Sequence, residues 1–278
     1  MIHVKKDLSK VPDKLTKKKA DFENTIINKK YSKESYKVVQ KDLIDLYHDK
    51  CAYCETSLKN NFRAVEHYRP KGSDVDSKCD ASYGYYWLAL SWSNLVLSCS
   101  YCNSNKGCCF DIKNQSKRIA YKNECFKDLH TITKQYNEQE KPLLFHPEID
   151  NPEEFISFDT NSKIKLTDER VKYIVKICKL NRDDLIELRY PILKTFKDNL
   201  IEIFNDIRYD KELSSQQKLN SFKREIINFS KKANDNKSDF LAWRKFILKN
   251  YQTFLFHPTE SNYNTIIKLA FLKFLPKK

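Results

Sequence analysis

The chain has 278 residues, 40 % of them apolar and 13 % aromatic, which is enough to bury one large core or two modest ones and excludes a disordered polymer. Its 51 Lys and Arg against 37 Asp and Glu give a formal net charge of +14, a field that attracts polyanions nonspecifically and with strong salt dependence while reading no base sequence. Met1 to Lys10 is charged and lacks the apolar stretch of a signal sequence, and no apolar run is long enough to span a bilayer, so a cytoplasmic protein is expected.

In chain order, residues 1–50 read as a helical segment, with helices over 13–30 and 35–48, the second carrying Val38, Val39, Leu43, Ile44 and Leu46 as an apolar stripe. Residues 51–128 read as a distinct module. It opens with Cys51 and Cys54, and a second Cys-x-x-Cys pair follows at Cys99 and Cys102. Two thiolates separated by two residues fold into a tight knuckle, and two knuckles supply the four sulfur ligands of a closed structural zinc site. The stretch between them is longer than in a simple zinc ribbon, so a folded insert is expected there. It begins with the strand-like Phe62-Arg63-Ala64-Val65, ends that strand at Glu66-His67, and turns at Pro70-Lys71-Gly72-Ser73-Asp74. Apolar segments Trp87 to Leu90 and Leu95 to Leu97 flank Asn94, and a helix is expected from Cys99 to Lys106. All three glycines, Gly72, Gly84 and Gly107, fall in or beside this module, where irregular backbone is needed.

Of nine cysteines, Cys79, Cys108, Cys109, Cys125 and Cys178 fall outside the two pairs and are expected as reduced thiols, with Cys108 and Cys109 near enough to exchange as ligands. Residues 129–166 read as an extended connection, marked by Pro142, Pro147 and Pro152. Residues 167–278 read as a helical lobe with pieces near 168–180, 183–208 broken or kinked at Pro191, 214–233, 238–250 and 262–274. The fold class expected is therefore α+β and predominantly helical. His146, before Pro147, is read first as a loop residue, with a supporting group near the site or a further metal-type ligand as the alternatives.

Taken together, Cys-x-x-Cys, Glu66-His67-x-x-Pro70-Lys71, Asn94-Leu95 and Cys99-x-x-Cys102-Asn103-x-x-Lys106 resemble the HNH endonuclease family. The resemblance implies a ββα-metal module and roles for particular residues. His67 would be the general base, since an imidazole with an ordinary pKa of about 6.5 takes a proton from water near neutral pH. Glu66 and Asn103 would be oxygen ligands of a catalytic Mg2+ or Mn2+, with Asn103 standing where the family has its last His. Asn94 would fasten the loop and orient His67. Arg69, Lys71 and Lys106 would contact substrate phosphate. Flanking motifs, from Pro12-Asp13-Lys14-Leu15 to Leu180-Asn181-Arg182-Asp183-Asp184, are similar to the PtuB group of HNH nucleases in Septu-type antiphage defence. That resemblance implies a PtuA-like ABC-type ATPase as partner, in some systems with a retron reverse transcriptase and its RNA–DNA product. The chain has no P-loop of its own, which leaves ATP hydrolysis to such a partner. Two rival readings keep the zinc site: an HNH toxin that cuts RNA such as tRNA, and a catalytically silent nucleic-acid-binding or scaffold module.

Overall fold

The computed structural model describes residues 1–16, 34–72, 84–121 and 128–275. Cys79, Cys125, Lys17 to Lys19 and most of the helix expected over 13–30 lie outside these; the start of that helix is α1 (Asp13–Thr16). The fold is α+β and predominantly helical, with one two-stranded sheet among the described residues. It divides into two compact units, Met1–Phe155 with Leu166–Leu180, and Ile156–Lys165 with Asn181–Lys278. Among the described residues no helix is long and apolar enough to cross a membrane.

In the first unit, the helix expected over 35–48 is two pieces, α2 (Glu34–Lys37) and α3 (Gln40–Leu46), because Val39 leaves helical geometry at φ −97° and ψ 10°. Val39 and Leu43, one turn apart, are completely buried and hold the pieces to the same core. Strand β1 (Arg63–His67) pairs antiparallel with β2 (Leu95–Cys99), placing Arg63 opposite Cys99 and His67 opposite Leu95. The strand starts one residue later than expected and runs through Glu66 and His67, since both find partners in Val96 and Leu95. Leu95, Val96 and Leu97 are all buried, so β2 is covered on both faces and reads as a continuous apolar run instead of an alternating one.

β2 passes directly into α4 (Ser100–Lys106). Cys99 is its N-cap: the backbone is extended there, and the sulfur accepts the N–H of Cys102 at 3.3 Å. Gly107 ends the helix at φ 49°, a conformation glycine adopts without steric cost, and its N–H closes onto Asn103 O. The connection expected to be extended over 129–166 contains a helix, α5 (Thr133–Glu140). Helix α6 (Glu169–Cys178) starts where Asp168 accepts the N–H groups of Arg170 and Val171. It packs on α4, and its Val171, Ile174 and Cys178 are completely buried, each aliphatic side chain contributing about 1.5–3 kcal/mol.

In the second unit, α7 (Asp183–Arg208) runs unbroken through Pro191, although a break or kink is expected there. Proline costs one backbone hydrogen bond. The buried stripe Leu193, Phe196, Leu200, Phe204 and Ile207, spaced three and four apart, outweighs that loss. The helix expected over 214–233 is two, α8 (Ser215–Ser221) and α9 (Lys223–Asn234), meeting at the fully buried Phe222. A capping box between Ser214 and Gln217 starts the first. α10 (Leu241–Lys249), α11 (Tyr251–Leu255) and α12 (Ser261–Phe274) complete the unit. Its core is aromatic: Phe196 stacks on Phe229 at 3.9 Å, Phe204 meets Tyr263 edge-on, and Trp243 sits between Phe158 and Phe254. The segment 156–165 joins this unit because Asn181 donates to Ile164 O and accepts from Ile164 N, at 2.8 and 2.7 Å.

Candidate functional site

The four-sulfur centre is built by two chain reversals. In the first, Cys51 N donates to Thr56 O, Glu55 N donates back to Cys51 O, and Glu55 takes a left-handed φ of 65° to close the knuckle. Ala52 N donates to Leu97 O at 2.8 Å, which fastens this knuckle to β2. The second is the β2–α4 joint itself. Together they bring the sulfurs of Cys51, Cys54, Cys99 and Cys102, all buried, within 4.8 Å of one another. The Cys54 and Cys99 sulfurs are 3.9 Å apart, close to the ~3.8 Å edge of a tetrahedron with 2.3 Å zinc–sulfur bonds. This centre can hold a metal ion such as zinc. Burial pushes the Cys51 thiol above its ordinary pKa, while hydrogen bonds from neighbouring sulfurs draw the Cys54 and Cys99 thiols below theirs, so the cluster holds shared protons that a bound cation would displace. Cys108 is disulfide-bonded, which corrects the expectation of a reduced thiol, whereas Cys109 and Cys178 are in no disulfide and are thiols as expected.

Beside the sulfurs lies a chain of polar groups at the end of β1. His67 is buried, and its Nε2 lies 2.9 Å from Ala89 O; a carbonyl only accepts, so Nε2 carries the proton and Nδ1 keeps its lone pair. Tyr36 meets the imidazole edge-on at 4.6 Å. Burial pushes the His67 pKa down to about 3, against the opposing pull of the Ala89 hydrogen bond, so the ring is neutral. Glu66 and His67, as consecutive strand residues, project to opposite faces of β1. The Glu66 carboxylate reaches α4, where Lys106 Nζ donates to its Oε1 at 2.7 Å and to His67 O at 2.9 Å. Burial raises the Glu66 pKa while Lys106 opposes that shift.

Asn94 closes the long loop between the strands. Its Oδ1 accepts Arg69 N at 2.8 Å, and its Nδ2 donates to Arg69 O and to Leu88 O, the residue before the carbonyl that holds His67. At the neck of the same loop, a Cβ on Gly84 would stand 2.3 Å from Gly72 Cα, so two glycine backbones touch where any side chain would collide. Asn103 is half-buried on α4, one turn before Lys106 on the same helix face, and its carboxamide has no hydrogen-bond partner among the described residues.

Two expected phosphate contacts are corrected. Arg69 is fully buried: Nε and Nη2 donate to Glu140 Oε2 at 2.9 and 2.8 Å, Nη2 also donates to Asn137, and aromatic rings of Tyr68, Tyr85, Phe110 and Tyr136 surround it. Lys106 is equally buried and committed to Glu66. Neither can reach a solvent-borne phosphate without breaking a buried ion pair. Lys71 differs. It is half-buried, 5.8 Å from the Tyr36 ring, and its charge acts on both Glu66 and His67. His146 lies in a loop, as expected, but a buried one: it is 1 % exposed, its Nε2 donates to Ser93 O, and its Nδ1 accepts Glu148 N. Tyr36, the Ala89 carbonyl and Glu140 are the partners that residue patterns did not reveal, since each acts through a position on another element.

The fold and site define a small α+β protein in which a buried four-cysteine cluster able to hold a metal ion joins a two-stranded sheet to a helix beside a buried carboxylate and imidazole. By sequence the chain is homologous to Septu protein PtuB: it is 28 % identical over 254 residues to the one from Bacillus mycoides (strain KBAB4), covering 81 % of this chain and 82 % of that protein. A Septu protein PtuB from Bacillus thuringiensis is 30 % identical over 109 residues, 38 % of this chain and 37 % of that one. Similarity to Septu protein PtuA of B. mycoides (strain KBAB4), 26 % identical over 172 residues, covers 60 % of this chain but only 22 % of PtuA. No protein-family model and no solved structure matches the chain.

Proposed function

We propose that the chain is the metal-dependent HNH endonuclease of a Septu-type antiphage defence system, hydrolysing phosphodiester bonds of nucleic acid, with DNA the favoured substrate. The observation that carries this reading is the His67 tautomer. With Nε2–H given to Ala89 O, Nδ1 of the neutral ring keeps the lone pair that would take a proton from an attacking water; the burial that lowers the His67 pKa to about 3 also weakens it as a base, so bound substrate and water would have to raise that pKa for the step to run near neutral pH. The order β1, β2, α4 and the four sulfurs that fix it are what such a module requires. The oxygen donors that would suit a hard divalent ion are the Glu66 carboxylate, of which Lys106 holds one oxygen, and the Asn103 carboxamide, with Glu66 on the opposite face of β1 from His67. Mg2+ or Mn2+ held there would supply Lewis-acid stabilisation of charge on the scissile phosphate. In this scheme Asn94 positions His67 by fixing Leu88 and Arg69 on either side of it, and Lys71, half-buried beside Tyr36, is proposed to meet the phosphate backbone. A PtuA-like ATPase is the partner that goes with a PtuB homologue, both relatives carrying the Septu name.

A second reading has its own support. Glu66 and His67 are 7 % and 5 % exposed, and Lys106 already neutralises the carboxylate, as in a module that binds nucleic acid without cutting it. One assay separates the two: plasmid DNA and tRNA are incubated with the zinc-loaded chain and Mg2+ or Mn2+, beside a no-cation control. Cation-dependent cutting that disappears in His67→Ala, with far-UV circular dichroism unchanged, is the expected result. Cutting that persists in that variant removes the assigned base, and binding without cutting establishes the silent module. The polymer that is cut decides between DNA and RNA.

A further inference from the structure

The second unit contains a cleft of about 580 Å³ between α7, α9 and α10, lined by none of the residues assigned above. That size lies within the range of small-molecule sites. Its floor is apolar, from Pro191, Ile192 and the stacked pair Phe196 and Phe229. One wall is cationic: Lys231, Lys232 and Arg244 face a single lining carboxylate, Glu225, which is engaged by Asn199 Nδ2 at 3.2 Å. Thr195, Asn199 and Asn228 add neutral hydrogen-bonding groups.

Arg244 is the telling member. It is half-buried, its Nε donates to the neutral carbonyl of Asp239 at 3.1 Å, and its remaining N–H groups meet no acceptor among the described residues. Burial lowers its pKa, with only the nearby Asp239 charge opposing, so the guanidinium has lost hydration without gaining a full counter-charge. A planar fork of donors in that condition is matched by phosphate oxygens more closely than by a carbonyl. Lys231 and Lys232 stand at the mouth as exposed point charges.

We propose that this cleft binds a nucleoside phosphate, its phosphates on Arg244, Lys231 and Lys232 and its flat base and sugar over Pro191 and Ile192, within reach of Asn199 and Asn228. The same chemistry is offered by a free nucleotide and by the end of a nucleic-acid strand. The site is independent of the nuclease reading, and its test involves no cutting.

The test is equilibrium binding to the full chain, without added divalent cation, of ATP and of a 5′-phosphorylated tetranucleotide, each followed by calorimetry. Saturable binding of either probe is expected, weakened at least tenfold in Arg244→Gln and in the doubly substituted Lys231→Glu/Lys232→Glu, and unchanged in Lys249→Gln, an exposed residue of α10 outside the cleft. The probe bound more tightly identifies the source. Because the two lysines are exposed, that double variant reports on binding even if Arg244→Gln perturbs packing on Phe229. Absence of saturable binding for both probes overturns the proposal, as does affinity in the lysine variant equal to that of the unaltered chain.

Discussion

The fate of a titratable side chain here is decided by what its lone pairs and protons already hold. His146 has both ring nitrogens used, Nε2–H on Ser93 O and the Nδ1 lone pair on Glu148 N–H, in a site closed to water. Adding a proton to Nδ1 would set two donors against each other, and burial together with the nearby Lys6 charge holds the pKa well below its ordinary value. The unfolded chain protonates near pH 6.5, while the folded one does not until far lower, so the unfolded state binds more protons across that interval and stability falls as pH drops through it. His67, lowered to about 3, acts in the same direction. Thermal unfolding followed from pH 7.5 to pH 5 should therefore show a falling midpoint, and His146→Gln, which cannot be protonated, should lose part of that slope. A midpoint flat over this range would show that neither imidazole is held neutral. The same attention to occupied partners explains what residue patterns conveyed. Asn94, Glu66 and His67 stand out by their order, whereas the burial of Arg69 and Lys106 depends on Glu140, 71 residues away in sequence, and on a strand facing the helix, neither of which a local motif encodes.

At the scale of elements, the four sulfurs tie together the knuckle after α3, the strand β2 and the helix α4, alongside the Ala52 N–Leu97 O bond and the direct passage of β2 into α4. β1 and β2 form only a two-stranded sheet, and an isolated pair of strands is marginally stable in water. The clamp and the packing of α4 on α6 supply what the ladder lacks. If zinc occupies the cluster, removing it would leave four thiols crowded in a buried volume, and the cost would fall on this joint first. One zinc per chain is expected by atomic emission, and Cys102→Ser should lower both that content and the unfolding midpoint by more than any single surface substitution. Full stability with no bound metal would mean the sulfurs are merely core packing. Element boundaries were legible where one local signal dominates, as at Asp168 and Ser214, whose side chains cap their helices. They were not legible at Val39 or Phe222, where a helical pattern is interrupted because a buried side chain is worth more at the joint than one continued hydrogen bond. Pro191 shows the converse, a breaker overruled by the apolar stripe running past it.

At the scale of the molecule, the chain passes between its two units at Phe155, at Lys165 and again at Leu180, so each unit is assembled from separate stretches of sequence. The reason lies in two short stretches. Helix α6 belongs with the metal module, through Tyr173, whose hydroxyl accepts Asp111 N, and through Arg170, which grips Asp150 at 2.7 Å. The segment 156–165 belongs with the helical lobe, through Phe158 on Trp243 and Ile164 on Asn181. Cutting the chain after Glu140 or Lys165 would strip α6 from α4 and expose the face carrying Val171 and Ile174, a loss of about 1.5–3 kcal/mol for each aliphatic residue, large beside the stability of a small domain. Ending it after Leu180 would keep that face covered but leave Ile156, Phe158 and Ile164, all buried in the whole chain, without Trp243 and Asn181. A fragment of residues 1–180 should thus bind zinc yet aggregate, and the same fragment with Ile156, Phe158 and Ile164 replaced by serine should stay monodisperse in size-exclusion chromatography with its zinc retained. If residues 1–165 behave as well as that modified fragment, α6 is dispensable to the metal module and the two-unit division is not the one the fold obeys.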